Sequence, residues 1–424
     1  MGSDRFVADL QKTEALIQVQ SPVGNNLLPE TATTDQKEAH KYKLFVSTWN
    51  VGGVAPSDDL NLEGWLDTDN NPCDIYVLGF QETVPLSAGN VLGSENNKIA
   101  MKWNTLIRAA LNKTRKTWKK SHESSKVGEK QKVYPVKDGD SKTVLVPQDF
   151  KCIISKQMVG IFITVWVRGD LRRFVRHPSV SCVGCGIMGC LGNKGSVSIR
   201  FRLHETSFCF VCSHLASGGK TGDEVHRNSD AADILARTSF PRGPSLDLPR
   251  KILDHDRVIW FGDLNYRISM PAATTRSLVE KSEWDILLEN DQLRAELSEG
   301  RVFEGWHEGP INFAPTYKYY PDSDNYYGCA QPKKGEKRRA PAWCDRILWN
   351  GKGLKQKEYS RGESRLSDHR PVRAVFNVEV EESSRNSNPL QSFFLSDRLD
   401  RIVDHFELFS GKQFLTEGIP SFQN

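Results

Sequence analysis

Five apolar runs in this chain break off on polar residues able to do chemistry. LFVSTW stops at Asn50, IYVLGF runs into Gln81-Glu82, FCFVCS stops at His214, RVIWFG stops at Asp263-Leu264-Asn265, and Asp368-His369 stands just before PVRAVF. Singly, each reads as the polar loop that borders any strand. Together, Asn, Glu, Asp, Asn, Asp and His form a set for hydrolysis assisted by a hard cation. Glu82 supplies a hard carboxylate for Mg2+, which takes one or two protein oxygens and keeps several waters. Asp263 is placed to accept a proton from the attacking water. Asn265, two residues on, is expected to orient that water, since side chains two apart on a strand share a face. His369, oriented by a carboxylate such as Asp345, would be an imidazolium facing phosphate oxygens. No Ser or Cys stands in a matching frame, so direct attack by water is expected over a covalent phospho-enzyme.

These residues need rigid carriers. KLFVSTW and IYVLGF are rich in β-formers and predict two strands, and NKIAMKWNTLIRAAL (97–111) has the apolar spacing of a helix. From Phe150 the runs CIIS, VGIFITVWV, VSCVGCGI, GSVSIRFRL and SFCFVCSH follow at short spacings that suit antiparallel pairing. A polar helix is expected at 221–237, two helices within 273–297, and further strands at DRVIWFG, DRILW and PVRAVFNVEV. The pattern predicts one large α/β domain over about 41–380, most simply a two-sheet sandwich flanked by helices. Residues 1–40 read as a polar, flexible arm and about 112–149 as a lysine-rich insertion. Residues 381–424 read as a polar tail with a short amphipathic helix through Phe394, Leu395, Leu399, Val403 and Phe406.

The 424 residues carry 57 Lys and Arg against 53 Asp and Glu, a net charge of +4 that is too weak to argue for a nucleic-acid partner. Its distribution says more, because lysine concentrates in the insertion and a second basic cluster, KKGEKRR, occupies 333–339. The longest clean apolar run, Val159 to Val167, is about half of what spans a bilayer. The N-terminus lacks the apolar region of a secretory signal, and Phe6 stands where myristoylation needs Ser or Thr. With nine cysteines and no such signal, free thiols in a reducing, intracellular and cytoplasmic setting are expected. Cys182-x-x-Cys185 and Cys209-x-x-Cys212 have zinc-ribbon spacing, but residues three apart on a strand point to opposite faces. Free thiols are therefore expected there too.

The strings TWNVGG (48–53), GFQE (79–82), GCLGNKGSVSIRF (189–201), SHLASG (213–218), WFGDLNYRI (260–268), APTYKY (314–319), RRAPAWCDRIL (338–348) and SDHRPV (367–372) closely resemble the inositol polyphosphate 5-phosphatases. The resemblance spans about 42–378 in the family's order and is strongest to its plant branch. It implies a deoxyribonuclease I-like fold, a four-layered α/β sandwich of two mostly antiparallel sheets flanked by helices. It implies a Mg2+-dependent phosphomonoesterase acting in phosphoinositide signalling. The 5-phosphate would come from phosphatidylinositol 4,5-bisphosphate and 3,4,5-trisphosphate, from soluble inositol 1,4,5-trisphosphate and 1,3,4,5-tetrakisphosphate, or from both.

By that resemblance Glu82, with Asn50 nearby, would bind the metal, and Asp263 and Asn265 would activate and hold the water. His369 would contact the scissile phosphate, supported by Asp345 and Asp368, with His214 lining the same pocket. Tyr317, Lys318, Lys337 and Arg339 would grip a 4-phosphate, and Asn193 and Lys194 would reach the 1-phosphate side. Cations pairing with phosphate oxygens in a shielded pocket make the same sense from charge alone. The alternative is a Mg2+-dependent endonuclease of the same fold. TYKY…KRRAPAWCDR weighs against it, since that combination fits a multiply phosphorylated ring. No nucleic acid is expected as a partner. The lysine-rich insertion is a candidate for peripheral contact with an anionic membrane.

Overall fold

Both faces of the central strands must be covered if they are to read as unbroken apolar runs, and a four-layered arrangement does this. The computed structural model describes residues 39–68, 70–85, 97–112, 149–186, 193–243, 247–328 and 339–382. The expected N-terminal arm, nearly all of the lysine-rich insertion, the C-terminal helix and Lys337 lie outside the described residues.

The strands in chain order are β1 (Ala39–Asn50), β2 (Ile75–Gln81), β3 (Phe150–Met158), β4 (Ile161–Arg168), β5 (Val175–Gly184), β6 (Gly195–Leu203), β7 (Thr206–His214), β8 (Arg257–Asp263), β9 (His307–Glu308), β10 (Asp345–Asn350), β11 (Leu354–Arg361) and β12 (Val372–Glu381). One sheet has the order β11-β12-β1-β2-β4-β3 and the other β5-β6-β7-β8-β10-β9. The short spacings do mark antiparallel neighbours, β3 with β4 and β5 with β6 with β7. The parallel pairs are β1 with β2 and β7 with β8. Parallel strands need a long crossover. Helix α1 (Glu63–Leu66) lies in the first, and α3 (Asp223–Arg237) in the second.

Between the sheets, Val46, Val77 and Val165 pack with Ile199, Phe210 and Phe261. Outside the first sheet, Trp49 and Phe80 pack on Trp103 and Ile107 of α2 (Lys98–Leu111). Outside the second, Val211 and Trp260 pack with Ala231 and Ile234 of α3. Each large apolar side chain so buried contributes about 1.5–3 kcal/mol. Cys209 and Cys212 go to opposite faces of β7, one into the outer core and one into the inner, so that pair does not chelate one ion. At Gly79 the sheets leave no room for a side chain, since an added Cβ would sit 2.4 Å from a ring carbon of Phe261.

The segment read as two helices forms three: α4 (Ala272–Glu280), α5 (Trp284–Glu289) and α6 (Gln292–Ser298). Asp291 makes the last break, because its side chain caps α6 by accepting from the Arg294 backbone N–H at 3.0 Å. The same carboxylate pairs with the fully buried Arg346, which also meets Glu308. No described helix is long and apolar enough to cross a membrane.

Candidate active site

Strand register assembles the centre of the site. In β7–β8, His214 stands opposite Asp263, and in β8–β10, Asp345 stands opposite Asp263. Three strand ends thus place two carboxylates and an imidazole in one row. From the other sheet, β1 ends on Asn50 opposite Gln81, and Glu82 follows with φ 52. Asn50 crosses between the sheets. Its Nδ2 donates to Asp263 Oδ2 at 2.9 Å and reaches Glu82 Oε1 at 3.4 Å, while its Oδ1 accepts from the Gly52 N–H.

His369 reaches the row from the turn before β12. Its Nδ1 lies 2.9 Å from Asp345 Oδ2, and its Nε2 lies 4.0 Å from Asp263 Oδ2. The same Asp345 oxygen accepts from the Thr316 hydroxyl at 2.6 Å, which pins the carboxylate. The Tyr317 ring covers the imidazole with centroids 4.6 Å apart. Burial disfavours a charged imidazole, but Asp345, Asp263 and Asp368 outweigh it and lift His369 to about 9. It is an imidazolium at neutral pH, with Nε2–H free for an anionic oxygen.

Burial likewise pushes the Asp263 carboxyl up. The hydrogen bond with His214 and the charges of His369 and Lys194 prevail and hold it well below the usual carboxylate range. His214 Nε2 lies 3.2 Å from Asp263 Oδ2 and also meets Lys194 Nζ. Burial and Lys194 hold His214 below its ordinary value, so it is neutral. Burial also brings Lys194 down to about 8, against the pull of Asp263 and Glu82.

Asn265 arrives by a different route from the one expected. Strand β8 ends at Asp263, and Asn265 lies beyond it in a left-handed turn with φ 59, so no strand face is shared. The turn is held by the Asn265 N–H donating to Asp263 Oδ1 at 3.1 Å. Its Nδ2 donates to the Leu215 carbonyl at 3.0 Å, and its Oδ1 accepts from Arg267 at 2.5 Å. Arg267 and Thr316 were not singled out from sequence. The only signal for either was membership of a quoted motif, WFGDLNYRI or APTYKY.

The remaining expected residues surround this centre. Lys318 Nζ pairs with Asp368 Oδ2 at 2.8 Å and lies within electrostatic reach of Arg339. Gly219 leaves room for Arg339, whose Nη1 sits 3.1 Å from where a Cβ would be. Asn193 Oδ1 is buried with no hydrogen-bond partner among the described residues.

Asp263, Asp345 and His369 are close enough together to share one ion. However, His369 presents protonated nitrogens there, and Asp345 is spent on His369 and Thr316. Glu82 is the better cation ligand. Its carboxylate is 29% exposed, and the neutral His214 imidazole approaches it only to 3.9 Å at Nε2. A hard oxygen donor so placed fits a hard divalent cation.

A sandwich with this row of Asp, His and Asn on its strand ends is that of the endonuclease/exonuclease/phosphatase class, whose family 2 model matches residues 47–375. Type IV inositol polyphosphate 5-phosphatase 9 of Arabidopsis thaliana is 58% identical over 408 residues, covering 95% of this chain and 94% of the relative. Type I inositol polyphosphate 5-phosphatase 8 of the same plant is 51% identical, covering 82% of this chain and 74% of its own length. The chain belongs to the inositol polyphosphate 5-phosphatase family. Among solved structures, the 5-phosphatase domain of SPsynaptojanin matches with TM-score 0.66 and 29% identity, covering 88% of this chain and 94% of that one. That crystal holds inositol (1,4)-bisphosphate and a calcium ion. Cimex nitrophorin, 19% identical with TM-score 0.52 over 80% of this chain, shares the fold alone.

Proposed function

We propose that this 5-phosphatase is Mg2+-dependent and removes the 5-phosphate from phosphoinositides, soluble inositol polyphosphates or both by direct attack of water. Phosphatidylinositol 4,5-bisphosphate and 3,4,5-trisphosphate are the lipid substrates in this reading. Inositol 1,4,5-trisphosphate and 1,3,4,5-tetrakisphosphate are the soluble ones. In each case the reaction would lower a phosphoinositide signal. What supports it is the set of cations Lys194, Lys318 and Arg339 around the Asp263–His369 pair, since a monoester with further phosphates needs grips beyond the scissile group.

In this reading Asp263 is ionised throughout the working pH range and receives the water's proton as its oxygen bonds to phosphorus. The bond between phosphorus and the inositol oxygen breaks, and that oxygen takes up a proton from solvent water to leave as the inositol hydroxyl, while Asp263 returns its proton to solvent. His369 Nε2–H bonds the phosphoryl oxygens, where negative charge is stabilised by a fixed, water-excluded donor. Asn265 donates its second N–H to water or phosphate. Lys318, Tyr317, Lys337 and Arg339 hold a 4-phosphate, and Asn193 and Lys194 the 1-phosphate side. Glu82 with Asn50 would hold Mg2+, which when bound neutralises phosphoryl charge and helps orient the water. The lysine-rich insertion would bring the enzyme to anionic membranes.

The test is phosphate release with Mg2+ from inositol 1,4,5-trisphosphate and from vesicles carrying phosphatidylinositol 4,5-bisphosphate, beside nicking of abasic DNA. Phosphate release that disappears in Asp263→Ala with the fold intact is expected. Nicking without phosphate release overturns the reading.

A further inference from the structure

Arg267 stands beside the reacting row, with Asp263 within electrostatic reach. Its guanidinium makes no ion pair among the described residues, and its Nε is buried without a partner. Its two well-defined contacts are Asn265 Oδ1 at 2.5 Å and the Tyr317 ring, whose centroid lies 4.5 Å from Cζ. The Tyr317 ring also covers His369, so the guanidinium rests on a fixed platform. Its backbone is anchored as well, with the Arg267 N–H donating to Gln292 Oε1 at 2.8 Å.

These contacts determine which atom Asn265 offers to the reaction. A guanidinium has donors and no acceptor, so the amide atom facing it must be oxygen. The Leu215 carbonyl accepts only, so the atom facing it must be nitrogen, here at 3.0 Å. Chemistry thus fixes the amide at both ends, and a flip would set N–H against N–H and oxygen against oxygen. The second Nδ2–H of Asn265, two residues from Asp263, has no partner among the described residues, and that group is a donor.

We propose that Arg267 is a positioning residue that locks the Asn265 amide so that it presents an N–H, not an oxygen, to the reacting phosphate and water. The inference rests on the 5-phosphatase reading above. Without Arg267, the amide gains an alternative orientation in which its oxygen opposes the incoming anion. Binding through the ring phosphates is untouched, so the loss falls on kcat and not on KM.

A double-mutant cycle tests this, using inositol 1,4,5-trisphosphate with Mg2+. Arg267→Gln should lower kcat about 10- to 100-fold, less than the roughly 10²–10³-fold loss seen when a preorganised donor is deleted outright. KM should change by less than about threefold if binding is uniform in the two proteins. In an Asn265→Ala background the same substitution should cost almost nothing further, because the group it positions is gone. Arg267→Lys, a shorter donor-only cation, should recover part of the rate, and it replaces the Gln variant in the cycle if that protein melts early. Additive losses in the cycle, or a loss confined to KM, would mean that Arg267 grips substrate directly and overturn the inference while leaving the activity in place. A wild-type chain that releases no phosphate would overturn the functional reading and this inference with it.

Discussion

Asp345 Oδ2 accepts from His369 Nδ1 at 2.9 Å, and this bond decides where the other imidazole nitrogen points. With Nδ1 tied to the strand end of β10, Nε2 faces Asp263 at 4.0 Å on the neighbouring strand. The acid that orients the imidazole and the acid proposed to receive a proton are thus register partners, one on each side of the imidazole. At 4.0 Å the two atoms can share one hydrogen-bonded oxygen set to the side of the line between them.

The first prediction concerns pH. His369 titrates at about 9, raised above its ordinary 6.5, by Asp345, Asp263 and Asp368 acting against burial. A raised histidine stabilises the fold fully below its unfolded value and loses that contribution as pH rises through its folded value. Turnover should therefore fall as pH passes from about 8 to about 10, whereas the melting temperature should fall earlier, from about 6.5 until His369 loses its proton at about 9. Asp345→Asn removes the principal charge that raises His369, so its alkaline limb in kcat should move toward neutrality. A pH–rate profile of the two proteins decides this, and coincident limbs would dissociate the imidazolium from catalysis.

The second concerns the metal. Chelation by EDTA should stop phosphate release, and added Mg2+ should restore it. Glu82→Gln keeps the shape but loses the charged oxygen, so the Mg2+ concentration for half-maximal rate should rise at least about tenfold, the usual scale for weakening a metal site. Titration of activity with Mg2+ measures it. An unchanged Mg2+ dependence would place the ion elsewhere.

Much of this centre was legible from the sequence, and the exceptions have physical causes. Asn50, Glu82, His214 and Asp263 stood out because apolar strands are easily seen and their polar ends fall beside one another in register. His369 stood out in the same way, just before PVRAVF, with Asp345 as its orienting carboxylate, although their contact depends on pairing between segments far apart in the chain, which periodicity does not encode. The strand rule failed at Asn265, because it presumes that β8 continues when the chain has already turned at φ 59. Arg267 escaped notice because one arginine in a basic protein carries no local signal. Its meaning comes from the acceptor it faces, which is a tertiary fact. The helix break at Asp291 also escaped, since its capping role and its buried partner Arg346 are both tertiary facts.

The third prediction concerns specificity. Arg339 lies beyond the reacting row, near Lys318, on the side where a second ring phosphate would sit. Arg339→Ala should raise KM for substrates carrying a 4-phosphate by about tenfold, the scale of one lost charge-assisted contact of roughly 1.5 kcal/mol. Its kcat should stay close to wild type. Steady-state kinetics on inositol 1,4,5-trisphosphate and on a substrate lacking the 4-phosphate separate the effects. An equal loss on both would make Arg339 a structural residue, consistent with its carbonyl accepting from Arg276 at 3.2 Å.

The fourth concerns what holds the row in place. Arg346 follows Asp345 in β10 and is wholly buried, donating to Asp291 at 2.9 and 3.0 Å and to Glu308 at 2.6 and 2.7 Å. Removing one partner of such a pair leaves a buried charge undercompensated, which typically costs about 3–5 kcal/mol. Asp291→Ala should fall in that range because it also deletes the cap of α6. Asp291→Asn keeps the capping oxygen and one acceptor for Arg346, and should cost less. Glu308→Gln should also cost less, because Asp291 still neutralises the guanidinium. Urea melts of the three variants give the order, to be read from midpoints at constant slope. For protein that remains folded at low temperature, kcat should stay near wild type, since none of these groups touches the reacting atoms. A variant that keeps its melting midpoint but loses kcat would mean that this network acts on the site directly, through the β10 strand end that carries Asp345.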